Sequence, residues 1–346
     1  MNQKIIVGSA SAQVVCASLY AGSILTTLEV EFPRPYLAEF NTHKMLSKNS
    51  ASSRAQPVWK KLLAVMSRAY MPNSFGMNKA GMQAGEEMSE SDKKKAEQNW
   101  LTGRDFSVIQ AYYLVGGEEQ ILKDSKDNEE AVLLCQKIEA MIDDYGVRKF
   151  FSKQDAGLHK QHANRVIETY SFHTVVVTGT HWRNFLGLRP SKNAQPEAQD
   201  FGIAIGTAML GSVPTELELR QWHLPFIRQE DRDEESNQLT LARASSGKCA
   251  RVSYLTHGGI RSLSEDLKMV GGLQANGHMS PFEHVARPRE KDDPDGSNGN
   301  LSEVWTQYRK LLTNENDFTK LITRDELLVG CRGDESLVDY ILSLPE

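Results

Sequence analysis

The feature that most constrains the fold is a strictly alternating segment closed by two prolines. Residues 28–32 (LEVEF) alternate apolar and charged side chains, which predicts a strand with one buried face. Pro33 and Pro35 end it, because proline cannot donate to a strand ladder. A second short segment, residues 173–178, is rich in β-branched side chains and predicts a buried strand.

Helical patterns surround these two segments. They cover residues 36–40, most of residues 57–165, and residues 182–188, where the helix should end near Pro190. Pro196 fits the first turn of a further helix that carries Phe201 and Ile205 on one face. We therefore expect an α+β fold with a mixed or antiparallel sheet flanked by helices.

Composition excludes several classes of protein. The 346 residues carry 40 basic and 45 acidic side chains, a formal net charge of −5, so no nucleic-acid polymer is expected as a partner. No stretch reaches the ~20 apolar residues of a membrane span. Four scattered cysteines favour a reducing cytoplasmic setting, and polar residues interrupt the N-terminal apolar run, so no signal peptide is predicted. The histidines complete no four-ligand set, so no metal is expected.

The first candidate site lies at residues 42–54 (THKMLSKNSASSR), after the strand, the prolines and a short helix. Hydroxyls and cations are concentrated here, and both donate hydrogen bonds to phosphate oxygens. The segment therefore suits a phosphate-bearing ligand. A polar helix end with capping serines would have the same composition, so both interpretations stay open.

The second candidate site lies at residues 184–197 (NFLGLRPSKNAQPE). Arg189 ends one helix just before the next begins, and a guanidinium beside a helix N-terminus is a good anion site. The alternative is a surface ion pair. A third segment combines residues 250–254 (ARVSY) with residues 276–284 (NGHMSPFEH), for which core packing is the default interpretation when it stands alone.

Together the three segments resemble the signatures of the flavin-dependent thymidylate synthase family. The family has Arg-His-Arg, seven residues, Ser and then Arg; this chain has Thr42-His43-Lys44, seven residues, Ser52 and Arg54. Residues 184–189 and 194–197 match its Asn-Phe-Leu-x-Leu-Arg and Ala-Gln-x-Glu. Residues 250–254 and 278–284 match its Ala-Arg-Val-Ser-Phe and His-x-Thr-Pro-Phe-Glu-His.

The third segment comes first in the family and last here, so the chain resembles a circularly permuted member. Permutation is tolerated where chain ends lie near each other at a surface. We expect one permuted domain with core blocks at residues 24–56, 160–213 and 249–288. Residues 57–159 would form a helical insertion and residues 289–346 a C-terminal arm.

The resemblance implies FAD as cofactor, NADPH and methylenetetrahydrofolate as co-substrates, and a deoxyuridylate-type nucleotide as substrate. It also implies a homotetramer with active sites shared between subunits. Arg189 would stabilise charge on the uracil, and His278 would lie near the flavin and the folate with a role in the chemistry. The implied nucleotide-binding residues are Glu39, Ser52, Ser53, Arg54, Arg165 and Arg189, and the implied flavin-binding residues are His43, Lys44, Asn49, Thr180, Asn184, Ser280 and Glu283.

The chain departs from the family at several of these positions. Thr42 and Lys44 stand where the family has arginines, residues 178–180 (TGT) replace Asn-Ala-Arg, and Asn193 replaces a histidine. Methylation of dUMP is the favoured activity. Hydroxymethylation of dUMP or dCMP, and a non-catalytic flavin- or nucleotide-binding role, remain alternatives.

Overall fold

A mainly antiparallel sheet organises the chain. The computed structural model describes residues 3–152, 157–256, 259, 262–294, 296–313, 315, 319 and 321–344. The strands run in the order β1-β2-β3-β5-β4, and β6 pairs in parallel with β2. Their bounds are β1 Ile5–Val7, β2 Ala10–Tyr20, β3 Ser23–Pro33, β4 Ser47–Ser50, β5 Phe172–Gly179 and β6 Thr215–Glu216; β7 Ala286–Pro288 and β8 Trp305–Gln307 form a separate pair.

Helices cover both faces of the sheet and fill its long connections, so the expected combination of an antiparallel sheet with helices is confirmed. Their bounds are α1 Leu37–Asn41, α2 Val58–Ser67, α3 Glu90–Val115, α4 Gly117–Ser125, α5 Glu129–Asp144, α6 Lys160–Ala163, α7 Arg183–Leu188, α8 Pro196–Leu210, α9 Gln229–Glu234, α10 Gln238–Ala250, α11 Leu263–Ala275, α12 Arg324–Gly330 and α13 Glu335–Ser343. In the described part of the chain, none is both long and apolar enough to cross a membrane.

Both strands expected from the sequence are present. The alternating segment lies in β3, and the β-branched segment lies in β5, which runs between β3 and β4. Val30 pairs with Val175 across the two strands. Their apolar side chains pack with Phe201 and Ile205 of α8 in one buried cluster. The opposite face of β5 packs Val176 against Val252 of the third segment.

The sheet begins earlier than expected. The sequence predicts that the first core block begins at residue 24, yet β1 and β2 precede it, and β2 forms a long hairpin with β3. The turn uses Ala21 and Gly22, both with positive φ. The buried side of β2 consists largely of small residues such as Ala10 and Ala12, so its hydrophobic alternation is too weak to predict a strand.

Residues 57–159 are mainly helical. Helices α2 to α5 enclose their own apolar cluster, which includes Leu62, Tyr112 and Ile138. An irregular stretch separates α2 from α3.

The first part of the proposed C-terminal arm is not an arm. Trp305 in β8 is fully buried and packs with Leu25 of β3 and Ala286 of β7. Asn300 and Gln307 are also buried and hydrogen-bonded. The Pro- and Gly-containing composition of residues 287–300 indicates a loop, but it does not reveal that the loop delivers a tryptophan to the core.

Candidate functional site

A groove of about 990 Å³ lies where β5 ends and β4 begins. Its lining comes from the first motif before β4 and from the chain that leaves β5. Lys44 and Arg183 supply positive charge, and the lining contains no carboxylate. Met45 and Leu188 expose about half of their apolar side chains. The groove therefore suits a ligand with both an anionic group and an apolar ring. Its lining residues are Thr42, His43, Lys44, Met45, Leu46, Thr180, His181, Arg183, Asn184, Phe185, Gly187 and Leu188.

Arg189 and His43 join the first two motifs beside this groove. The Arg189 Nε–H donates to Nε2 of His43 over 2.6 Å. Burial, together with the nearby charges of Arg189 and Lys48, lowers the pKa of His43 to about 4. The imidazole is therefore neutral at pH 7. Because Nε2 accepts, Nδ1 carries the proton. This pairing holds the guanidinium against His43, which lines the groove.

Two residues that the sequence did not single out fix this arrangement. Lys48 Nζ donates to the backbone carbonyl of His43, which anchors the loop before β4. Gly202 in α8 lets the helix approach the Arg189–Pro190 turn, because a Cβ there would meet Pro190 Cδ at 2.8 Å. Lys48 lies inside the first motif, so its position was a usable signal, whereas the role of Gly202 depends on tertiary packing.

Four of the seven expected flavin-binding residues lie at this groove. His43, Lys44, Thr180 and Asn184 all contribute to its lining. The Asn184 amide has no hydrogen-bond partner among the residues that the structure describes, and its side chain is exposed. Thr180 Oγ1 accepts from the backbone N–H of Ser302, which ties the loop before β8 to the groove.

The expected phosphate-binding residues lie at the other end of the same strands. Because β4 and β5 are antiparallel, Ser52, Ser53 and Arg54 follow β4 at the end where β5 begins. Asn164, next to Arg165, donates to the carbonyl of Ser53 over 2.8 Å. Arg189, which contacts His43 before β4, and this group, which follows β4, therefore lie at opposite ends of that strand within one chain.

Ser53 is already engaged in this second location. Its hydroxyl donates to Glu168, which also pairs with Arg34 at 3.4 Å. Arg34 Nη1 in turn donates to Nε2 of the buried His173 over 2.9 Å. Burial lowers the pKa of His173 to about 3, and the charges of Arg34 and Lys61 contribute, so the imidazole is neutral and accepts. Neither Glu168 nor Arg34 was singled out from the sequence.

The third motif and the residue just before it contact Asn49 of the first motif. The Asn49 side chain donates to the carbonyl of Cys249 over 2.8 Å, and Ser280 Oγ donates to Asn49 Oδ1 over 3.4 Å. The Glu283 carboxylate pairs with Arg309 at 2.6 Å. His278 is exposed at the end of α11, and Glu39 is exposed on α1. None of these residues lines the groove.

A buried chain of hydroxyls and imidazoles runs between the sheet and the third motif. Thr27 Oγ1 lies 2.8 Å from Nε2 of His223 and 2.6 Å from Oγ1 of Thr178. Thr178 Oγ1 lies 2.8 Å from Nδ1 of His284. Burial lowers the pKa of both histidines to about 3, so both are neutral. The third motif is therefore attached to β3 and β5 by side-chain hydrogen bonds.

Comparison with protein-family models found no family that matches this chain, and comparison with characterised proteins found no match either. Among the described residues, no group of three or more His, Cys, Asp or Glu side chains could hold a metal ion.

Proposed function

We propose that this protein is a circularly permuted relative of the flavin-dependent thymidylate synthases that transfers a one-carbon unit from methylenetetrahydrofolate to C5 of dUMP. The observation that carries the proposal is the contact between the first and second motifs. Arg189 and His43 are 146 residues apart in sequence and 2.6 Å apart in space, beside a positively charged groove. Unrelated motif matches have no reason to converge on one ligand-sized groove.

The contacts of the third motif support the permutation. In the family, Pro-Phe-Glu-His leads into a strand that precedes Arg-His-Arg. Here His284 is linked through Thr178 to Thr27 of β3, and Ala286 packs against Leu25 of the same strand. The end of the third motif therefore lies beside the strand that leads to the first motif, as a permuted chain requires.

The groove fits FAD in size and in chemistry. Its volume of about 990 Å³ suits a large ligand. Lys44 and Arg183 provide charge for a pyrophosphate, Met45 and Leu188 provide apolar contact for a ring, and the free Asn184 amide can donate and accept. When bound, the flavin would supply hydride to the one-carbon unit.

Arg189 would stabilise the negative charge that develops on the pyrimidine, since a guanidinium cannot lose its proton near neutral pH. His43, held neutral by its surroundings, would keep the guanidinium oriented without adding a competing positive charge.

We further propose that the site is shared between copies of the chain in a homotetramer, as the resemblance implies. Arg189 and the group Ser52, Ser53, Arg54 and Arg165 lie at opposite ends of β4. Two copies placed against each other would bring one chain's Arg189 to the other chain's phosphate-binding residues. His278, exposed at the end of α11, would reach the flavin and folate in the same way.

Flavin binding tests the groove assignment. We expect the purified protein to retain FAD through gel filtration, and Asn184→Ala and Lys44→Ala each to weaken FAD binding about tenfold. Lys192→Ala, an exposed lysine outside the groove lining, is the matched control and should bind as the wild type does. Equal FAD affinity in all four proteins would place the cofactor elsewhere.

The product distinguishes the alternatives. Thymidylate formation requires a final reduction and hence NADPH, whereas hydroxymethylation of dUMP or dCMP ends with water. The replacement of family arginines by Thr42 and Lys44 is the observation that keeps the hydroxymethylation and non-catalytic alternatives open, because lysine cannot form a bidentate fork. A protein that binds FAD but forms neither product would support the non-catalytic role.

A further inference from the structure

A carboxylate lies among donor groups where β3 ends and β5 begins. Ser53 donates to Glu168, and Arg34 pairs with the same carboxylate at 3.4 Å. His173 accepts from Arg34 and holds the guanidinium in place. A hydroxyl and a guanidinium around an anion are the partners that a phosphate group also takes.

Lys61 adds a buried positive charge to this cluster. It lies on α2, is only 7% exposed, and interacts electrostatically with Glu168 and Arg34. Burial lowers its pKa, and Glu168 partly opposes that effect. Within the described residues its ammonium has no hydrogen-bond or ion-pair partner. The side chain is largely buried, and a bound anion would give its ammonium an acceptor.

The cluster is open to a ligand and positively charged overall. The Arg34 and Glu168 side chains remain 24% and 22% exposed. Arg54 and Arg165 are exposed on the two segments that Asn164 joins through the Ser53 carbonyl. Two cations, Arg34 and Lys61, therefore interact with the Glu168 carboxylate, and two exposed arginines lie on the adjoining segments.

We propose that Ser53, Arg34 and Lys61 form a binding subsite for a phosphate monoester, and that Glu168 occupies this subsite until the ligand displaces it. The identity of the ligand as a nucleotide 5′-phosphate rests on the proposed function. The anion chemistry rests on the cluster itself.

A phosphate would displace the Glu168 carboxylate because both groups are anions. A phosphate and the Glu168 carboxylate accept from the same Ser53 hydroxyl and the same Arg34 guanidinium, and two anions in one site repel each other. Binding therefore requires Glu168 to turn away towards solvent. Glu168 lowers the affinity for phosphate and thereby sets how strongly the subsite holds a nucleotide.

Calorimetric titration with inorganic phosphate tests this directly. We expect Glu168→Gln to bind phosphate about tenfold more tightly than the wild type, because the competing charge is gone. Glu31→Gln is the control, since Glu31 pairs with the exposed Arg68 at 2.7 Å and lies outside the cluster. A Glu168→Gln protein that unfolds as the wild type does, yet binds phosphate equally or more weakly, would overturn the proposal.

Lys61→Met provides a second, independent variant. We expect it to weaken phosphate binding about tenfold, whereas Lys60→Met, on the exposed side of the same helix, should not. Unchanged phosphate binding by Lys61→Met would also contradict the proposal.

Comparing the binding of dUMP and deoxyuridine tests the subsite independently of the proposed activity. dUMP and deoxyuridine differ only in the phosphate, so Glu168→Gln should tighten dUMP and leave deoxyuridine unchanged. These titrations contain neither flavin nor folate. If Glu168→Gln binds phosphate and dUMP more tightly but no methyl group is transferred to dUMP, only the proposed activity is refuted. If methyl transfer occurs but Glu168→Gln does not bind phosphate more tightly, only the proposed subsite is refuted.

Discussion

At the scale of single residues, burial and the contact with Arg189 keep the His43 imidazole neutral. Burial, Arg189 and Lys48 all lower the pKa of His43, to about 4. The folded pKa lies below the ordinary value of about 6.5, so this contribution to stability is fully present above pH 6.5. It is lost as the pH falls through about 4, when protonation of Nε2 breaks the bond from Arg189.

Removing the Arg189 charge should reverse part of that shift. We expect Arg189→Ala to raise the pKa of His43 towards 6.5, and NMR titration of the imidazole measures it directly. Arg183→Ala is the matched control, because Arg183 lines the same groove but does not lower this pKa. A His43 pKa unaffected by Arg189→Ala would mean that the contact does not exist in solution.

The residue pairs themselves could not be predicted from the sequence. The motifs named His43 and Arg189 as ligand-binding candidates, but nothing in the spacing of residues 146 apart predicts that they touch. Glu168 and Lys61 were missed for a different reason: their significance comes from burial and from neighbours on other elements.

At the scale of elements, β3 and β5 are held to the third motif by buried neutral histidines. The pKa of both His223 and His284 is lowered to about 3 by burial, so both must stay uncharged in the folded protein. The contribution of these two neutral histidines to the free energy of unfolding is fully present above pH 6.5 and is lost as the pH falls towards 3. Between pH 6.5 and pH 5 each such histidine should cost about 2 kcal/mol of stability.

His223→Gln tests that account. Glutamine retains hydrogen-bonding groups but does not titrate, so the variant should lose less stability than the wild type between pH 7.5 and pH 5. Urea unfolding at the two pH values measures the difference. Equal acid sensitivity in the two proteins would show that His223 is already protonated or exposed in solution.

The β7–β8 pair makes a second prediction at this scale. Trp305 is fully buried against Leu25 and Ala286, so Trp305→Ala should lower the free energy of unfolding by about 3–5 kcal/mol. Val329→Ala, in the same C-terminal region but 80% exposed, is the control and should be nearly neutral. If denaturant unfolding showed a similar, small effect for both substitutions, residues 289–312 would belong to the C-terminal arm predicted from the sequence at residues 289–346.

At the scale of the whole molecule, the sequence predicts strong local patterns well and long-range assembly poorly. The alternation of β3, the β-branched run of β5 and the helix opened by Pro196 all gave correct elements. The β1–β2 hairpin was missed because its buried side chains are small. The packing of Trp305 was missed because a loop composition says nothing about where the loop leads.

The permuted order is the central claim at this scale, and its chemical consequence can be measured by mass spectrometry. The protein is incubated with FAD, NADPH, methylenetetrahydrofolate and either dUMP or dCMP, and the masses of the nucleotides are then measured. We predict that dUMP gains a methyl group in an NADPH-dependent reaction, and that Arg189→Lys lowers the rate about 100-fold. A flavin-bound protein that leaves both nucleotides unchanged would contradict the account.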